Sequence, residues 1–152
     1  MNVEKVIREY LPNVLHMSLA TCANDKPWVC EVHYVYDNDL NFYFRSTPSR
    51  RHSQEIAKSP NVAGSIVEPH GLGVKPRGVY FEGRAEQLKD VDENHVAYRA
   101  YCDRLETGAD ILEDAKKSDG HKFYKITVSD LYVFDSRESS PSQKYHLKWP
   151  KA

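Results

Sequence analysis

The strongest constraint on this chain is the two-residue alternation of Trp28–Tyr36, together with the turn and second strand after it. Trp28, Cys30, Val32, Tyr34 and Tyr36 fall on one face of an extended strand, and Val29, Glu31, His33 and Val35 fall on the other. Apolar bulk on both faces predicts that neither is simply solvated. Asp37-Asn38-Asp39 is a turn sequence and Leu40–Arg45 reads as the return strand, so the two predict a hairpin.

Further strands obey the same logic. Val14–Thr21 leads into the turn-prone Ala23–Pro27, Asn61–Glu68 is short and apolar, and Gly78–Leu88 alternates throughout. Phe123–Phe134 has strand character interrupted at Ser129-Asp130. Helices are predicted where apolar residues recur every third or fourth position. Val3, Val6, Ile7 and Tyr10 form one such stripe, stopped by Pro12. Arg50–Lys58 is a second helix, closed by Ser59-Pro60. Asp92–Leu105 is a third, with Asp92 available as cap and Val96, Ala100, Tyr101 and Leu105 facing inward.

Strands joined by hairpin turns, with helices beside them, predict a mainly β, antiparallel sheet in a single domain over residues 1–152. Closure into a barrel is one way to remove its edges. A dinucleotide fold is disfavoured, because Gly71-Leu72-Gly73 is too short for a phosphate-binding glycine loop. The tail from Asp135 is polar, with Ser139-Ser140-Pro141-Ser142 its most flexible-looking part. Its Tyr145, Leu147 and Trp149 predict docking on this subunit or a partner.

Charge and composition exclude several classes. A formal net charge of −1 leaves no global attraction to nucleic acid or to an anionic membrane. No apolar run reaches membrane-spanning length and the charged N-terminus lacks a signal core, so a cytoplasmic location is expected. Cys22, Cys30 and Cys102 are an odd set without metal spacing and read as reduced, buried thiols; in particular, Cys30 in a buried strand would be inert. The seven histidines have no zinc-finger or HExxH spacing, so no metal site is expected.

The segment Phe44–His52 carries the clearest chemistry. A strand end, a hydroxyl-rich turn and a helix start with two adjacent arginines fall within it. A helix N-terminus presents unpaired N–H donors and a partial positive charge, and arginines add bidentate donors for phosphate oxygens. Cations in a first helical turn are unfavourable on their own. Arg50 and Arg51 therefore point to an anion beside them, with Arg45, Ser46, Thr47 and Ser49 contributing. The alternative is a solvated basic turn capped by Ser49.

The run from Phe42 to Ala63 resembles the signature of the pyridoxamine 5′-phosphate oxidase-like, FMN-binding split-barrel family. Its Ser49-Arg50-Arg51 matches the family's Ser-Arg-Lys-like triplet, and Ser59-Pro60-Asn61-Val62 matches the turn before the next strand. Arg77–Gly83 resembles a further family strand. The resemblance covers about residues 13–90 well and the rest loosely. It implies a six-stranded antiparallel Greek-key split barrel and a homodimer with FMN at the interface. Arg50, Arg51 and Ser49 would hold the phosphate with Arg45 and Ser46. Backbone groups of Val29, Cys30, Glu31, Val32, His33 and Tyr34 would face the flavin ring. Residues near Gly78 would approach from across the interface, with Lys144 as a further flavin neighbour; Tyr34, His33 and Tyr80 are the side chains expected along the ring.

Departures from the family pattern limit the function. Oxidases acting on vitamin B6 carry basic residues where this chain has Val29 and Tyr34, and a glutamine where it has Gly78. The C-terminal substrate elements are also unmatched; Lys144, Tyr145 and His146 are a loose substitute. The leading expectation is an FMN-dependent oxidoreductase acting on a small-molecule substrate or electron donor. The alternative is a non-catalytic flavin- or haem-binding protein for sensing, storage or electron transfer, since some split-barrel relatives bind haem through a histidine.

Overall fold

The computed structural model describes residues 1–139 and 141–151; Ser140, in the tail segment, lies outside the described residues. Asn2 caps helix α1 (Val3–Tyr10), its side chain accepting the Lys5 N–H at 3.1 Å. Ile7 and Tyr10 from the predicted stripe are buried. Asn24 and Asp25 then take the left-handed backbone region, φ 53° and 60°, which Asn and Asp tolerate better than bulkier residues. Their turn joins β1 (His16–Ala23) to β2 (Lys26–His33) in antiparallel register. After Tyr34 come β3 (Val35–Tyr36), a turn braced by the Asp37 carboxylate, and β4 (Phe42–Ser46).

The hairpin expected between Trp28–Tyr36 and Leu40–Arg45 is thus only its last rungs, Val35 with Tyr43 and Tyr36 with Phe42. The rest of that strand pairs with β1. Helix α2 (Arg51–Lys58), β5 (Asn61–Val67), β6 (Arg77–Gln87), α3 (Val96–Leu105), α4 (Asp110–Lys116), β7 (Lys122–Asp135) and β8 (Lys144–Lys148) complete the chain. The strands run β2-β1-β5-β6-β7-β4-β3, with β8 added on β7. Six strands were expected and eight are found: one kinked strand counts as β2 and β3, and the tail supplies β8.

The two ends of that order, β2 and β3, are separated in sequence by Tyr34 alone, so the sheet closes on itself there. Tyr34 is fully buried; its N–H donates to the Leu15 carbonyl at 3.3 Å and its hydroxyl to the Leu11 carbonyl at 3.1 Å. Its own carbonyl, left without a strand partner, accepts from Arg104 Nε of α3 at 3.3 Å. The same guanidinium donates to the carbonyls of Leu11 and Val14 and lies 5.0 Å from the Tyr34 and Tyr36 rings. Buried backbone groups must be paired, and at this kink a side chain pairs them.

Inside the barrel, Leu19, Phe42, Phe44, Ile66, Phe81 and Ile126 form one core. Gly64 sits against the Phe81 ring, where a Cβ would lie 2.3 Å from its nearest carbon, so that ring requires glycine. In β7 the break read at Ser129-Asp130 is a bulge: Gly83 pairs with Val128 and Glu82 with Asp130. The extra residue shifts parity, which keeps Val128 and Leu131 both buried.

A second core lies on the outer face of β3, β4 and β7, where Val35, Tyr43 and Phe123 meet Ala97 and Tyr101 of α3 and Ile111 and Leu112 of α4. Helix α3 starts later than expected, with His95 as cap: its Nδ1 accepts the Ala97 N–H at 3.0 Å. Val96, expected inside, is exposed, and Ala97 is buried instead. No described helix is long and apolar enough to cross a membrane.

Candidate functional site

Strand β4 ends at Ser46, which is buried, and the chain turns through Thr47–Arg50, the Arg50 N–H donating to the Thr47 carbonyl at 3.2 Å. Arg50 is the N-cap position of α2 and makes no side-chain cap bond. Ser49, expected as cap, instead places its hydroxyl 3.2 Å from that of Thr47. The first N–H groups of α2 are therefore not covered by a capping side chain.

The two arginines differ. Arg51 Nε donates to Glu55 at 2.9 Å and its guanidinium lies 4.2 Å from the Trp28 ring. Among the described residues the Arg50 guanidinium has neither ion pair nor hydrogen-bond partner. Beneath them runs a buried polar network. Glu55 accepts from Thr21 at 2.7 Å; Ser46 Oγ lies 2.8 Å from His52 Nε2 and accepts from Ser53 at 3.1 Å. The Thr21 hydroxyl and then Arg51 hold the Glu55 carboxyl below the usual carboxylate range. Burial, and next the nearby Arg50, lower the His52 pKa, favouring its neutral form.

Around this turn opens a cavity of about 700 Å³, within the usual range of ligand pockets, about 300–1,000 Å³. Cys30, Glu31, Val32 and His33 line it in succession. Consecutive residues of a strand point to opposite faces, so the cavity runs along the edge of β2 rather than over one face. β2 is bonded only to β1 among the described strands, which leaves its other backbone edge for a ligand. Burial and then Glu31 push the Cys30 thiol pKa upward, which argues against a thiolate nucleophile.

Of the residues singled out from sequence, Cys30, Glu31, Val32, His33, Arg45, Ser46, Arg50 and Arg51 come together in this cavity. Val29 and Lys144 line another depression, on the outside of the sheet, where Lys144 Nζ lies 5.1 Å from the Tyr80 ring. Tyr80 is thus outside the first cavity, and Tyr34 is buried beneath the strand rather than exposed along it. Ser49 flanks the turn without lining the cavity. Gly78, on β6, is packed against Phe134, and a Cβ there would meet that ring at 2.8 Å.

The cysteines are less buried than expected: Cys22 is exposed, Cys30 and Cys102 are half-buried, and all three are free. Cys22 lies on the outward-facing side of β1, and Cys30 on β2 at the end of the sheet order, a position that also leaves Trp28 40 % and Val29 60 % exposed.

Sequence reasoning missed the opposite wall of the cavity. Tyr101 and Leu105 of α3, Thr107 and His121 also line it. Asp114 of α4, through Oδ2, accepts from Arg45 Nη2 at 3.0 Å and from the His121 backbone N–H at 2.9 Å, with His121 Nδ1 at 3.2 Å. The His121 backbone N–H is the main cause holding the Asp114 carboxyl below its ordinary value. Arg45 and Ser46, grouped from sequence, therefore serve different walls: Ser46 turns to His52, and Arg45 to Asp114.

The family model for pyridoxamine 5′-phosphate oxidase matches residues 3–135. A UPF0306 protein of Photorhabdus laumondii is 28 % identical over 102 residues, 66 % of this chain and 71 % of that protein. A haem-binding protein from Mycobacterium smegmatis shares the fold with a TM-score of 0.73 at 19 % identity, over 93 % of this chain and 55 % of that one; this chain thus spans about half its length. HutZ, a haem storage protein from Vibrio cholerae, gives 0.67 at 17 % identity, over 88 % of this chain and 95 % of its own. At such identities these two structures establish the split-barrel fold alone.

Proposed function

The chain belongs to the pyridoxamine 5′-phosphate oxidase family, and from that premise we propose that it is an FMN-binding flavoprotein and an oxidoreductase acting on a small molecule. The observation that carries this reading is the unpaired Arg50 guanidinium at the uncapped start of α2, beside a cavity of about 700 Å³ running along the β2 edge. Arg50, the first N–H groups of α2 and the Thr47 hydroxyl would meet the phosphate dianion, with Ser46 fixing the turn from below. Backbone groups of Cys30–His33 would bond the polar edge of the flavin ring. Trp28, held under Arg51, would flank it. Bound FMN supplies hydride or single-electron transfer; the protein binds and orients it.

Vitamin B6 oxidation is not proposed. Tyr34 is buried with its hydroxyl engaged, and Gly78 is too crowded for the family's glutamine without movement of Phe134. A homodimer is part of the reading: the exposed Trp28 and Val29 on β2 offer apolar surface to a second copy. A monomeric mass for the flavin-loaded protein would refute that part.

Haem is the second reading. The M. smegmatis and V. cholerae neighbours are a haem-binding and a haem storage protein, and His33, His52 and His121 all line the cavity. The visible spectrum of the purified protein, before and after incubation with FMN or haem, separates the two. Flavin bands in the blue and near-ultraviolet at one FMN per chain support the proposal; a Soret band with no flavin uptake overturns it.

A further inference from the structure

Of the seven histidines, two are brought face to face by strand register. His16 of β1 and His33 of β2 are directly opposed in the antiparallel ladder. Both are exposed, and their rings stack with centroids 4.3 Å apart and planes inclined by 29°. The next cross-strand pair on that face is Ser18 with Glu31, and the Ser18 hydroxyl donates to the Glu31 carboxylate. Glu31 is exposed, and among the described residues no cation pairs with it. Two imidazoles and an uncompensated carboxylate therefore share one solvent-facing patch. We propose that His16 and His33 form a two-imidazole clamp for a divalent transition-metal ion of the zinc or copper type. The clamp lies beyond the flavin reading and is independent of it, since it uses neither Arg50 nor the start of α2.

The ligand chemistry decides the class of ion. Imidazole nitrogen suits zinc, copper and nickel, whereas magnesium and calcium seek sets of oxygens. At zinc–nitrogen distances of about 2.0–2.1 Å, two nitrogens on a tetrahedral ion lie about 3.4 Å apart. Directly opposed residues of an antiparallel pair have Cβ atoms about 4.5–5.5 Å apart. Rotating the two rings out of their stack therefore brings one nitrogen of each to the required spacing. Among the described residues no set of three His, Cys, Asp or Glu groups converges on one point, so water completes the coordination and Glu31 adds electrostatic attraction. The backbone beneath the pair is already fixed. Leu15 and Tyr34, the residues just beyond it, are joined by the Tyr34 N–H bond to the Leu15 carbonyl at 3.3 Å, and Met17 is buried on the opposite face. A clamp with a preset backbone loses less conformational freedom on binding. His33 and Glu31 line the large cavity, and His16 and Glu31 a neighbouring depression, so an ion can approach from solvent. Sequence spacing does not disclose the pair, because the two residues meet only through register.

Isothermal titration calorimetry with zinc chloride tests the clamp on the full chain after dialysis against a chelator, with magnesium chloride as the control. The proteins compared are wild type, His16→Gln, His33→Gln and Cys30→Ser. Wild type should bind one zinc ion per chain with a Kd at or below about 100 µM, and Cys30→Ser should match it. Each histidine variant should weaken binding at least about tenfold, with a melting temperature within about 2 °C of wild type because both side chains are exposed. Wild-type zinc affinity in either histidine variant overturns the clamp. So does the absence of saturable zinc binding up to about 1 mM, or magnesium binding as tight as zinc. Loss of binding in Cys30→Ser overturns it too, since zinc then belongs to the thiol.

Discussion

Arg50 and Arg51 are neighbours in sequence but carry different loads, and substituting each by alanine separates binding from folding. Among the described residues Arg50 makes no side-chain hydrogen bond or ion pair that the flavin-free fold would lose. Arg50→Ala should therefore change stability by no more than about 0.5 kcal/mol, the usual range for such surface positions. It also removes one cause of the lowered His52 pKa. Against a bound phosphate the same change deletes a hydrogen bond between charged groups, about 1.5–3 kcal/mol. That corresponds to FMN affinity weakened about 10- to 150-fold. Arg51→Ala removes the contact with the Trp28 ring at 4.2 Å, about 0.5–1 kcal/mol at a partly exposed site, and also breaks the pair with Glu55. Its melting temperature should fall by about 2–4 °C, against less than about 2 °C for Arg50→Ala. FMN fluorescence quenching and thermal unfolding of the flavin-free variants provide both numbers. Wild-type FMN affinity in Arg50→Ala, or a thermal loss equal to that of Arg51→Ala, would show the reasoning to be wrong.

Two further outcomes are expected from the same geometry. Arg104→Met leaves the carbonyls of Val14 and Tyr34 without the guanidinium donor at the point of barrel closure, and takes one donor from Leu11, whose carbonyl also accepts from the Tyr34 hydroxyl and the Val14 N–H. Denaturant unfolding should show a loss of about 2–3 kcal/mol, and wild-type stability would contradict the closure role. His52 concerns pH: its pKa is lowered by burial first and by Arg50 second. A depressed pKa contributes stability fully present above the unfolded value, about 6.5 for histidine, and lost as pH falls through the folded value. Stability should therefore decline on acidification from about pH 6.5, and His52→Gln should flatten that decline. A variant with the wild-type slope would remove His52 from the account.

How much of this is legible in the chain itself can be judged from particular elements. The turn Asp37–Asp39, the alternation of Gly78–Leu88 and the helix entered at Arg50-Arg51 are visible because each is set by neighbours a few residues apart. So is the clustering over Arg45–Arg51 of a strand end, hydroxyls and guanidinium groups, since all fall in one short run. Helix α4 escapes a sequence reading although Ile111 and Leu112 are buried, because seven residues carry too short a period to be distinctive. The inward face of α3 differs from expectation at one position for a related reason: Tyr101 is buried as expected, but Ala97 rather than Val96 meets the outer face of β3, β4 and β7, which the helix sequence does not encode.

Sequence by itself determined the local character of this protein: which segments extend, which turn, and where hydroxyls and arginines gather in one short run. Tertiary structure alone decided that one strand bends at Tyr34 and joins both ends of the sheet, and that β2 keeps an open backbone edge. It alone brought Asp114 to Arg45, 69 residues away in the chain, and Thr107 to the same cavity. The physical reason is range. Turn and strand preferences act between adjacent residues, whereas closure and a two-walled cavity depend on burial shared by elements that meet only once the chain has folded.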